Sequence, residues 1–351
     1  MPWPRILIIG NFPPPEDGGL PSQGELLGEA LASSGARIHV LSRKATRLGR
    51  LLHAITHTLL KGWAYDVFLI QIFSRRARFM ETAVILAGRL WRKRLVLCMR
   101  SGSMPHYLDT YRWLTRSYRL GHRIVFPSEY LRQACDARGL HGTVIPNFIP
   151  LNRYDFHKRR ILKPRLLFLR TFHPMYNPEL ALKAFAEVKK HYPDAALTMA
   201  GINRGYEEEV RKFAKDADLH DVRFLGFIPK TDIPSLMNEH DILLNTPHID
   251  NMPVTVLEAM ACGLIVISTC VGGIPFLLRD GGTALFVRDD DAQDMAAAVA
   301  RVMKDPDLAE ALCVQGRRLV EEFTWEKLKG SWAEALSGRE MAGETILKRG
   351  G

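Results

Sequence analysis

Short apolar runs alternate with helical stretches along almost the whole chain. Six runs precede residue 150: RILIIG (5–10), RIHVLS (37–42), DVFLIQ (66–71), RLVLCM (94–99), HRIVFP (122–127) and TVIPN (143–147). Six more follow residue 164: RLLFL (165–169), AALTMAG (195–201), VRFLGF (222–227), DILLNT (241–246), LIVIS (264–268) and ALFV (284–287). Such runs are typical of buried parallel strands. We therefore predict an α/β fold with two Rossmann-like domains that face one cleft.

The polar, basic stretch that separates the two series predicts a domain boundary. We predict a first domain over residues 1–150, a connector over 151–164 and a second domain over 165–322. A helix over 323–336, which contains Trp325 and Trp332, is expected to pack back on the first domain, and 337–351 to form a tail. With 351 residues, the chain is long enough to build two hydrophobic cores.

Charge is spread unevenly over the chain. Residues 1–160 hold 25 Lys and Arg against 10 Asp and Glu, a net charge of +15, whereas the remainder has 23 against 28, a net charge of −5. A basic first half predicts an anionic partner. Because no zinc-finger spacing, RNP-like motif or clear helix-turn-helix is present, we expect an anionic membrane surface or lipid substrate and no nucleic acid.

Residues 43–63 have helical spacing of apolar positions at 48, 51, 52, 55, 59 and 63, with basic residues around them. One interpretation is an amphipathic helix whose apolar face covers the sheet. The other is a basic amphipathic surface that rests on anionic headgroups.

Cysteine usage and the termini bear on the compartment. The five cysteines form no CxxC pair, which indicates a reducing compartment without a structural zinc site. The N-terminus lacks signal-peptide character and no apolar run reaches membrane-spanning length. We expect a cytoplasmic protein, or a peripheral one on the inner face of the membrane. The acidic clusters at 216–218 and 289–291 are better explained as a helix end and a helix cap, so we predict no metal site.

The segment from His248 to Gly273 is predicted to form a loop, a helix, a strand and a glycine turn, in that order. Asp250 and Asn251 are able to cap a helix, and Pro253 fits its first turn. The helix, residues 254–262, is apolar on nearly every side except at Glu258, which has no cation three or four residues away. A buried carboxylate without a partner is costly, so this residue requires an explanation.

Two explanations of Glu258 stand at this point. It reaches a distant Arg from a core helix, or it accepts hydrogen bonds from a bound polyol such as the two hydroxyls of a ribose. In the second case, Gly272 and Gly273 let backbone amides at a helix N-terminus approach a phosphate. Gly18 and Gly19 occupy the first loop of the first series, where open parallel sheets bind ligands.

These segments resemble retaining glycosyltransferases of the GT-B fold, specifically family GT4. The resemblance rests on DNMPVTVLEAMACGLIVIS (250–268) with the following glycine pair, FLGFIP (224–229), the Arg that ends RLLFLR, and IPN (145–147). In the first half it rests on DGG (17–19) and FPSEYLRQ (126–133). It spans roughly residues 5–335.

The resemblance implies three catalytic residues. Glu258 would hold the ribose of the nucleotide, Asp250 would contact the transferred sugar, and Arg170 would neutralise the diphosphate. The loop residues Asn251, Met252 and Pro253 would contact the sugar or the phosphate through their amides, and Phe227 and Ile228 would border the base.

The chain departs from the family pattern at three positions. Asp250 replaces the usual Glu, and Phe276 stands where a Glu often follows the glycine pair. No Lys follows Arg170 at the usual distance, so His173 or Asn177 substitutes, or the charge comes from elsewhere.

The expected function is a metal-independent hexosyltransferase without a cofactor. Its donor is a nucleoside-diphosphate sugar, and its acceptor is a glycan or lipid-linked molecule held by the first domain. There, Arg100 either contacts an acceptor phosphate or is a solvated strand end, and His106 is an acceptor-side residue or a loop residue. Two other functions stay open: a non-catalytic subunit of a glycan-assembly complex, and a nucleotide-sugar epimerase.

Overall fold

The computed structural model describes residues 3–10, 12, 23–41, 46–74 and 77–337. The chain forms two compact units. One contains the chain up to Phe148 together with the chain from Trp325 onward, and the other contains Ile149–Thr324. The division falls two residues before the predicted end of the first domain, so the predicted connector 151–164 belongs to the second unit.

Every one of the twelve predicted runs forms a strand, and all strands pair in parallel. The strands of the first unit are β1 (Arg5–Ile9), β2 (Arg37–Leu41), β3 (Val67–Ile72), β4 (Arg94–Met99), β5 (Arg123–Phe126) and β6 (Thr143–Val144). They form one sheet in the order β2-β1-β3-β4-β5-β6. The α/β fold class is therefore confirmed for this unit.

Helices cover both faces of the first sheet. Those of the first half are α1 (Gln23–Ser33), α2 (Arg47–Lys61), α3 (Arg78–Leu90), α4 (Met104–Thr110), α5 (Trp113–Tyr118) and α6 (Glu129–Asp136). Alternate residues of a strand serve opposite faces: Leu7 and Ile9 pack with residues of α2 to α6, whereas Ile6 and Ile8 pack with α1. The helices α2 to α6 thus form one layer, which we call the outer helix layer.

The second unit repeats this architecture. Its strands are β7 (Arg165–Leu169), β8 (Ala196–Ala200), β9 (Val222–Gly226), β10 (Ile242–Asn245), β11 (Ile265–Thr269) and β12 (Leu285–Val287). The order β12-β11-β10-β7-β8-β9 places β7 beside β10, which is where the direction of strand succession reverses. Open parallel sheets bind ligands outside the carboxyl ends of the strands at such a point.

The helices of the second unit are α7 (Pro178–Lys189), α8 (Glu207–Asp216), α9 (Ile233–Asn238), α10 (Val254–Cys262), α11 (Ile274–Leu277), α12 (Ala292–Lys304) and α13 (Pro306–Glu321). Local sequence sets several of their ends. The Asn177 side chain accepts the Leu180 amide at the start of α7, and Asp291 caps α12 as predicted. Gly263 ends α10 in the left-handed conformation that glycine tolerates best.

The last described helix, α14 (Trp325–Ser337), belongs to the first unit. Trp332 and Leu336 are buried with residues of α1 in the core on the face of the first sheet opposite to α2 to α6. The indole of Trp325 donates to the Ser34 hydroxyl at 2.9 Å, which fixes the start of the helix. Residues distant in sequence thereby complete the first core.

The helix α2 uses only some of its apolar positions to cover the sheet, and Leu51 packs against the core. Leu48, Leu52 and Leu59 are exposed, as is Trp63 in the short helical turn that follows, while Ala54 lies in the core. The helix therefore covers the sheet, as the first interpretation has it, while several of its apolar side chains are left exposed. No helix in the described part of the chain combines the length and the apolar content that crossing a bilayer requires.

We predict that Trp332→Ala lowers the free energy of unfolding of the first unit by about 3–5 kcal/mol, because it leaves a large cavity in a packed core. Trp63→Ala is the matched control, since this Trp is 62% exposed, and should change stability little. Urea unfolding monitored by circular dichroism measures both. Equal effects of the two substitutions would contradict the assignment of α14 to the core.

Candidate functional site

The predicted donor-side residues of the second unit gather where β7 and β10 end. Arg170 directly follows β7, and Asp250 lies in the loop after β10. Because these strands are neighbours at the reversal of strand order, the two residues meet at the position where such sheets bind ligands. The sequence separates them by 80 residues, and parallel pairing brings them together.

Arg170 forms an ion pair with Asp250 through its Nη2 atom. The side chains are 11% and 13% exposed, respectively, so the pair is largely shielded from water. The guanidinium also lies over the ring of Tyr176, 4.2 Å from the ring centroid. Its Nε and Nη1 atoms form no hydrogen bond with a described residue, which leaves one edge of the planar group for a ligand.

Asp250 organises its own loop rather than capping a helix. Its Oδ1 atom accepts the Asn251 amide at 2.7 Å, and its carbonyl accepts the Gly273 amide at 2.8 Å. The N-cap residue of α10 is Pro253, which forms no side-chain capping hydrogen bond. The prediction that Asp250 or Asn251 caps α10 is wrong, because the side chain of Asp250 is used by Arg170.

The glycine pair permits a close backbone contact. A Cβ atom at Gly272 would lie 2.3 Å from the Asp250 carbonyl oxygen, and one at Gly273 would lie 1.8 Å from the Asn251 carbonyl oxygen. Both distances are below any tolerated contact, so this turn requires glycine at each position, and Gly272 also has a φ of +55°. The pair therefore seats the loop that carries Asp250.

Two backbone amides at this turn, which the sequence predicts to approach a phosphate, have acceptors within the fold. The Gly273 amide donates to Asp250, and the Ile274 amide donates to the Val271 carbonyl at 3.0 Å. The helix α11 has only four residues, too few to build a substantial dipole. The amides of Gly273 and Ile274 thus have acceptors within the fold, and a contact of the Gly272 amide with a phosphate stays a prediction.

Glu258 is buried in α10, with 4% of its surface exposed. Its Oε1 atom accepts the hydroxyl of Tyr154 at 2.7 Å, so its hydrogen-bond partner in the described structure is a neutral group rather than the distant Arg of the alternative explanation. Burial raises the pKa of the Glu258 carboxyl, and Lys230, Tyr154 and Arg170 oppose that rise. Burial and the adjacent Glu258 also raise the pKa of the Tyr154 phenol. The carboxylate is therefore held at an electrostatic cost.

Both proposed substitutes for the missing Lys form local hydrogen bonds in this structure. The Nδ1 atom of His173 accepts the Met175 amide at 3.1 Å, and Asn177 caps α7 while donating to Asp290 at 3.2 Å. Lys230, in the loop after β9, supplies a positive charge that acts on Glu258. Which residue supplies the positive charge at the diphosphate in place of the missing Lys stays a prediction.

The remaining donor-side residues surround this centre. Asn251, Met252 and Pro253 are buried, Phe227 is 40% exposed, and Ile228 is half-buried. Their contacts with sugar, phosphate and base remain predictions. Gly18 and Gly19 lie outside the described residues.

Three residues of this site were not found from the sequence: Tyr154, Tyr176 and Lys230. Tyr154 lies in the stretch assigned to a connector, and Tyr176 lies in a loop without a helical or strand pattern. Lys230 directly follows the motif FLGFIP, and this position is the sequence signal that could have identified it as a site residue.

In the first unit, Arg100 ends β4 among neutral partners. Its Nε atom donates to Gln71 at 2.6 Å and its Nη1 atom to Asn147 at 2.9 Å. Burial lowers the pKa of this guanidinium. Arg100 is thus an ordered side chain rather than a solvated strand end, while His106 is exposed. Among the described residues, no group of three or more His, Cys, Asp or Glu side chains is arranged to hold a metal ion.

Comparison with known proteins relates the second unit to a family. Residues 155–319 match the family model described as Glycosyl transferases group 1. A GDP-mannose-dependent alpha-(1-6)-phosphatidylinositol monomannoside mannosyltransferase from Mycolicibacterium smegmatis is 28% identical over 189 residues, which are 51% of this chain and 49% of that protein. The chain spans about half the length of several curated relatives that it matches.

Two comparisons extend over the whole chain. A Mycobacterium tuberculosis protein with the same name as that relative is 24% identical, covering 96% of this chain and 99% of its own. The crystal structure of HepE from Anabaena in complex with UDP-glucose aligns with a TM-score of 0.77 at 17% identity, covering 96% of this chain and all of that one. This structural likeness shows that the chain has the GT-B fold.

We predict that Glu258→Gln leaves the ligand-free protein as stable as the wild type, or more stable, at neutral pH. The amide still accepts from Tyr154 but carries no charge to desolvate. Since burial raises the pKa above its ordinary value of 4.5, the difference should vanish below pH 4.5, increase as the pH rises, and be complete above the raised pKa.

Urea unfolding at several pH values measures this difference, and Glu239→Gln at an exposed position is the control. A marked loss of stability in Glu258→Gln at neutral pH would show that the carboxylate serves the fold.

Proposed function

We propose that this protein is a retaining, metal-independent glycosyltransferase that moves a sugar from a nucleoside-diphosphate donor to an acceptor bound by the first unit. The observation that carries the proposal is the arrangement of Glu258 and Arg170 in the second unit. A buried carboxylate kept at an electrostatic cost has a use if it accepts two ribose hydroxyls. Arg170 lies at the adjacent strand end, where a diphosphate would need a cation.

The chemistry of transfer explains why a guanidinium belongs there. As the bond between the sugar and the diphosphate breaks, negative charge grows on the leaving oxygen while the sugar becomes oxocarbenium-like. A fixed cation stabilises that charge more in the transition state than in the bound donor. The planar fork of Arg170 matches phosphate oxygens, and its stacking on Tyr176 fixes its plane before the donor binds.

Asp250 orients Arg170 and lies beside the position proposed for the transferred sugar. The ion pair sets the side of the guanidinium that is left for the diphosphate. In this proposal, one carboxylate oxygen of Asp250 keeps the Asn251 amide while the other is shared between Arg170 and a sugar hydroxyl. With Arg170 and Lys230 supplying positive charge, transfer needs neither a metal ion nor a cofactor, so a chelator should leave the rate unchanged.

The similar proteins suggest a class of acceptor. The names of the two mycobacterial relatives describe mannosyl transfer to a phosphatidylinositol monomannoside, which is a lipid-linked acceptor. We propose a glycan or lipid-linked acceptor for this chain as well. Arg100, which has only neutral partners among the described residues, is the candidate contact for an acceptor phosphate.

We predict that Arg170→Ala reduces turnover roughly 100-fold or more, because one strong stabiliser of the leaving charge is lost. A thermal-shift screen across UDP- and GDP-sugars first identifies the donor. Arg170→Lys should retain an intermediate rate, and Arg318→Ala, at an exposed position of α13, should retain the full rate.

An unchanged rate in Arg170→Ala would remove this residue from the site. Donor binding without transfer by the wild type would favour the non-catalytic subunit, and an altered sugar nucleotide formed without acceptor would favour the epimerase. NMR of the product's anomeric proton determines whether the configuration is retained.

We further propose that the first unit rests on an anionic membrane surface. Nine of the twelve large apolar side chains that are exposed among the described residues lie in this unit. They are Leu48, Leu52, Leu59, Leu60, Trp63, Phe79, Leu86, Leu90 and Trp113. All lie on or beside α2, α3 and α5 of the outer helix layer, and Lys61, Arg89 and Arg92 are exposed near the ends of α2 and α3. Apolar side chains bordered by basic ones are characteristic of helices that lie on lipid headgroups.

We predict that the protein binds anionic vesicles, that binding weakens as salt is added, and that Leu60→Gln weakens it about tenfold or more. Leu60 is 74% exposed, so the substitution should not disturb the fold. Ile161→Gln is the matched control, because Ile161 is 86% exposed in the second unit. Vesicle co-sedimentation measures all three effects. Binding that is absent or independent of salt would refute the membrane proposal.

A further inference from the structure

Four arginines converge on a pocket in the outer helix layer. The pocket has a volume of about 480 Å³ and is lined by Leu108, Asp109, Arg112, Thr115, Arg116, Arg119 and Arg138. These residues come from α4, from the turn between α4 and α5, from α5, and from the turns after α5 and α6. We call this feature the arginine pocket. It lies in the first unit, whereas the donor-side residues belong to the second.

Only one of the four guanidinium groups is neutralised within the described residues. Arg138 forms a two-bond pair with Asp109, at 2.7 and 2.6 Å. Arg112, Arg116 and Arg119 form no ion pair with a described carboxylate, and all three are exposed. The pocket therefore carries an excess of about three positive charges, counted from its side chains.

Two of the four guanidiniums are held in place. The Nε atom of Arg119 donates to the Gly139 carbonyl at 2.9 Å, and the Nη1 atom of Arg138 donates to the Ala134 carbonyl at 2.7 Å. Asp109 in turn has a lowered pKa, chiefly because of its hydrogen bonds from Arg138, and so stays ionised beside it. The pocket is thus partly preorganised, with Arg112 and Arg116 as its adaptable members.

The arginine pocket borders the exposed apolar surface. Trp113, which follows Arg112 directly, is 40% exposed and stacks on Phe79 of α3 with a centroid distance of 6.1 Å. The helix α3 packs against both α2 and α5, so the exposed apolar residues and the arginines share one helix layer. An amphipathic Trp beside Arg side chains is the composition expected at the boundary between acyl chains and headgroups.

We propose that the arginine pocket binds the phosphate of an anionic lipid headgroup while the neighbouring apolar side chains enter the acyl region. Arginine suits this ligand because its planar fork contacts two phosphate oxygens at once. A free phosphate shares this chemistry but would make no use of Trp113 and Phe79. The inference rests on the membrane contact proposed above and adds a defined headgroup site to it.

Short-chain lipids below their micelle concentration test the site directly by isothermal titration. Dihexanoyl phosphatidylglycerol should bind the full-length protein more tightly than inorganic phosphate does, and dihexanoyl phosphatidylcholine should bind weakly. The variant Arg112→Gln/Arg116→Gln should lose phosphatidylglycerol binding. Its partition into vesicles of phosphatidylcholine with phosphatidylglycerol should fall roughly thirtyfold, which corresponds to about 1 kcal/mol per basic residue.

Two further variants separate a built site from a general basic surface. Arg112→Lys/Arg116→Lys keeps the charge but loses the planar fork, so titration should show weakened binding. Arg301→Gln/Arg318→Gln removes the same charge from exposed positions of the second unit and should bind as the wild type does. Thermal unfolding verifies that each variant is folded. We expect the fold to be retained because the substituted side chains are exposed.

Several outcomes would overturn the inference. If Arg112→Lys/Arg116→Lys binds phosphatidylglycerol as the wild type does, the pocket is a general basic surface. If inorganic phosphate and short-chain phosphatidylglycerol bind equally well, it is a site for free phosphate. A single-stranded oligonucleotide that displaces the lipid with higher affinity would make it a nucleic-acid surface. None of these measurements involves sugar transfer, so they fail independently of the proposed enzyme activity. Vesicle binding that is lost in Leu60→Gln but kept in Arg112→Gln/Arg116→Gln would retain the membrane contact and refute the headgroup site.

Discussion

The burial of one carboxylate in an apolar helix is the constraint on which the second unit depends. Tyr154 donates a hydrogen bond to Glu258, and the positive charges of Lys230 and Arg170 act on it. Burial nevertheless raises the pKa of the Glu258 carboxyl. A residue chosen only for the stability of α10 would be apolar at this position. The ribose proposed above would supply two further hydrogen-bond donors to this carboxylate.

The other donor-side elements follow from the same sheet geometry. The reversal of strand order sets Arg170 beside the loop that carries Asp250, and the glycine pair allows that loop to approach. Asp250 then fixes the guanidinium on one side while Tyr176 fixes its face. A cation whose plane is set before the ligand arrives loses little entropy on binding, which favours a charge-stabilising role.

Much of the fold was predictable from the sequence because parallel strands are buried on both faces. That constraint produces near-continuous apolar runs, and all twelve runs became strands. Asn177, Asp291 and Gly263 likewise fix helix ends through local chemistry alone. The pairing of Arg170 with Asp250 followed from strand order, which depends on contacts between residues far apart in sequence. The bond from Tyr154 to Glu258 spans 104 residues and had no local signal.

In the first unit, the helical spacing of apolar residues does not predict which of them are buried. Apolar residues at helical spacing predict a face turned to the sheet, but in α2 the side chains of Leu52, Leu59 and Leu60 are exposed while the small Ala54 lies in the core. Leu51 packs against the same core as Ala54, so α2 turns part of its apolar surface toward the sheet and part of it outward. An exposed apolar surface of this kind is typical of an interaction site, which is the basis of the membrane contact proposed above.

The central claim, that Glu258 binds the ribose of a nucleotide, is tested most directly by a thermodynamic cycle. Isothermal titration would compare a nucleoside diphosphate with its 2′,3′-dideoxy analogue, on the wild type and on Glu258→Gln. The account predicts that removing the hydroxyls weakens binding to the wild type much more than to the variant, which corresponds to a coupling energy of about 1 kcal/mol or more. Equal losses on both proteins would show that the carboxylate does not contact the ribose and would contradict the account.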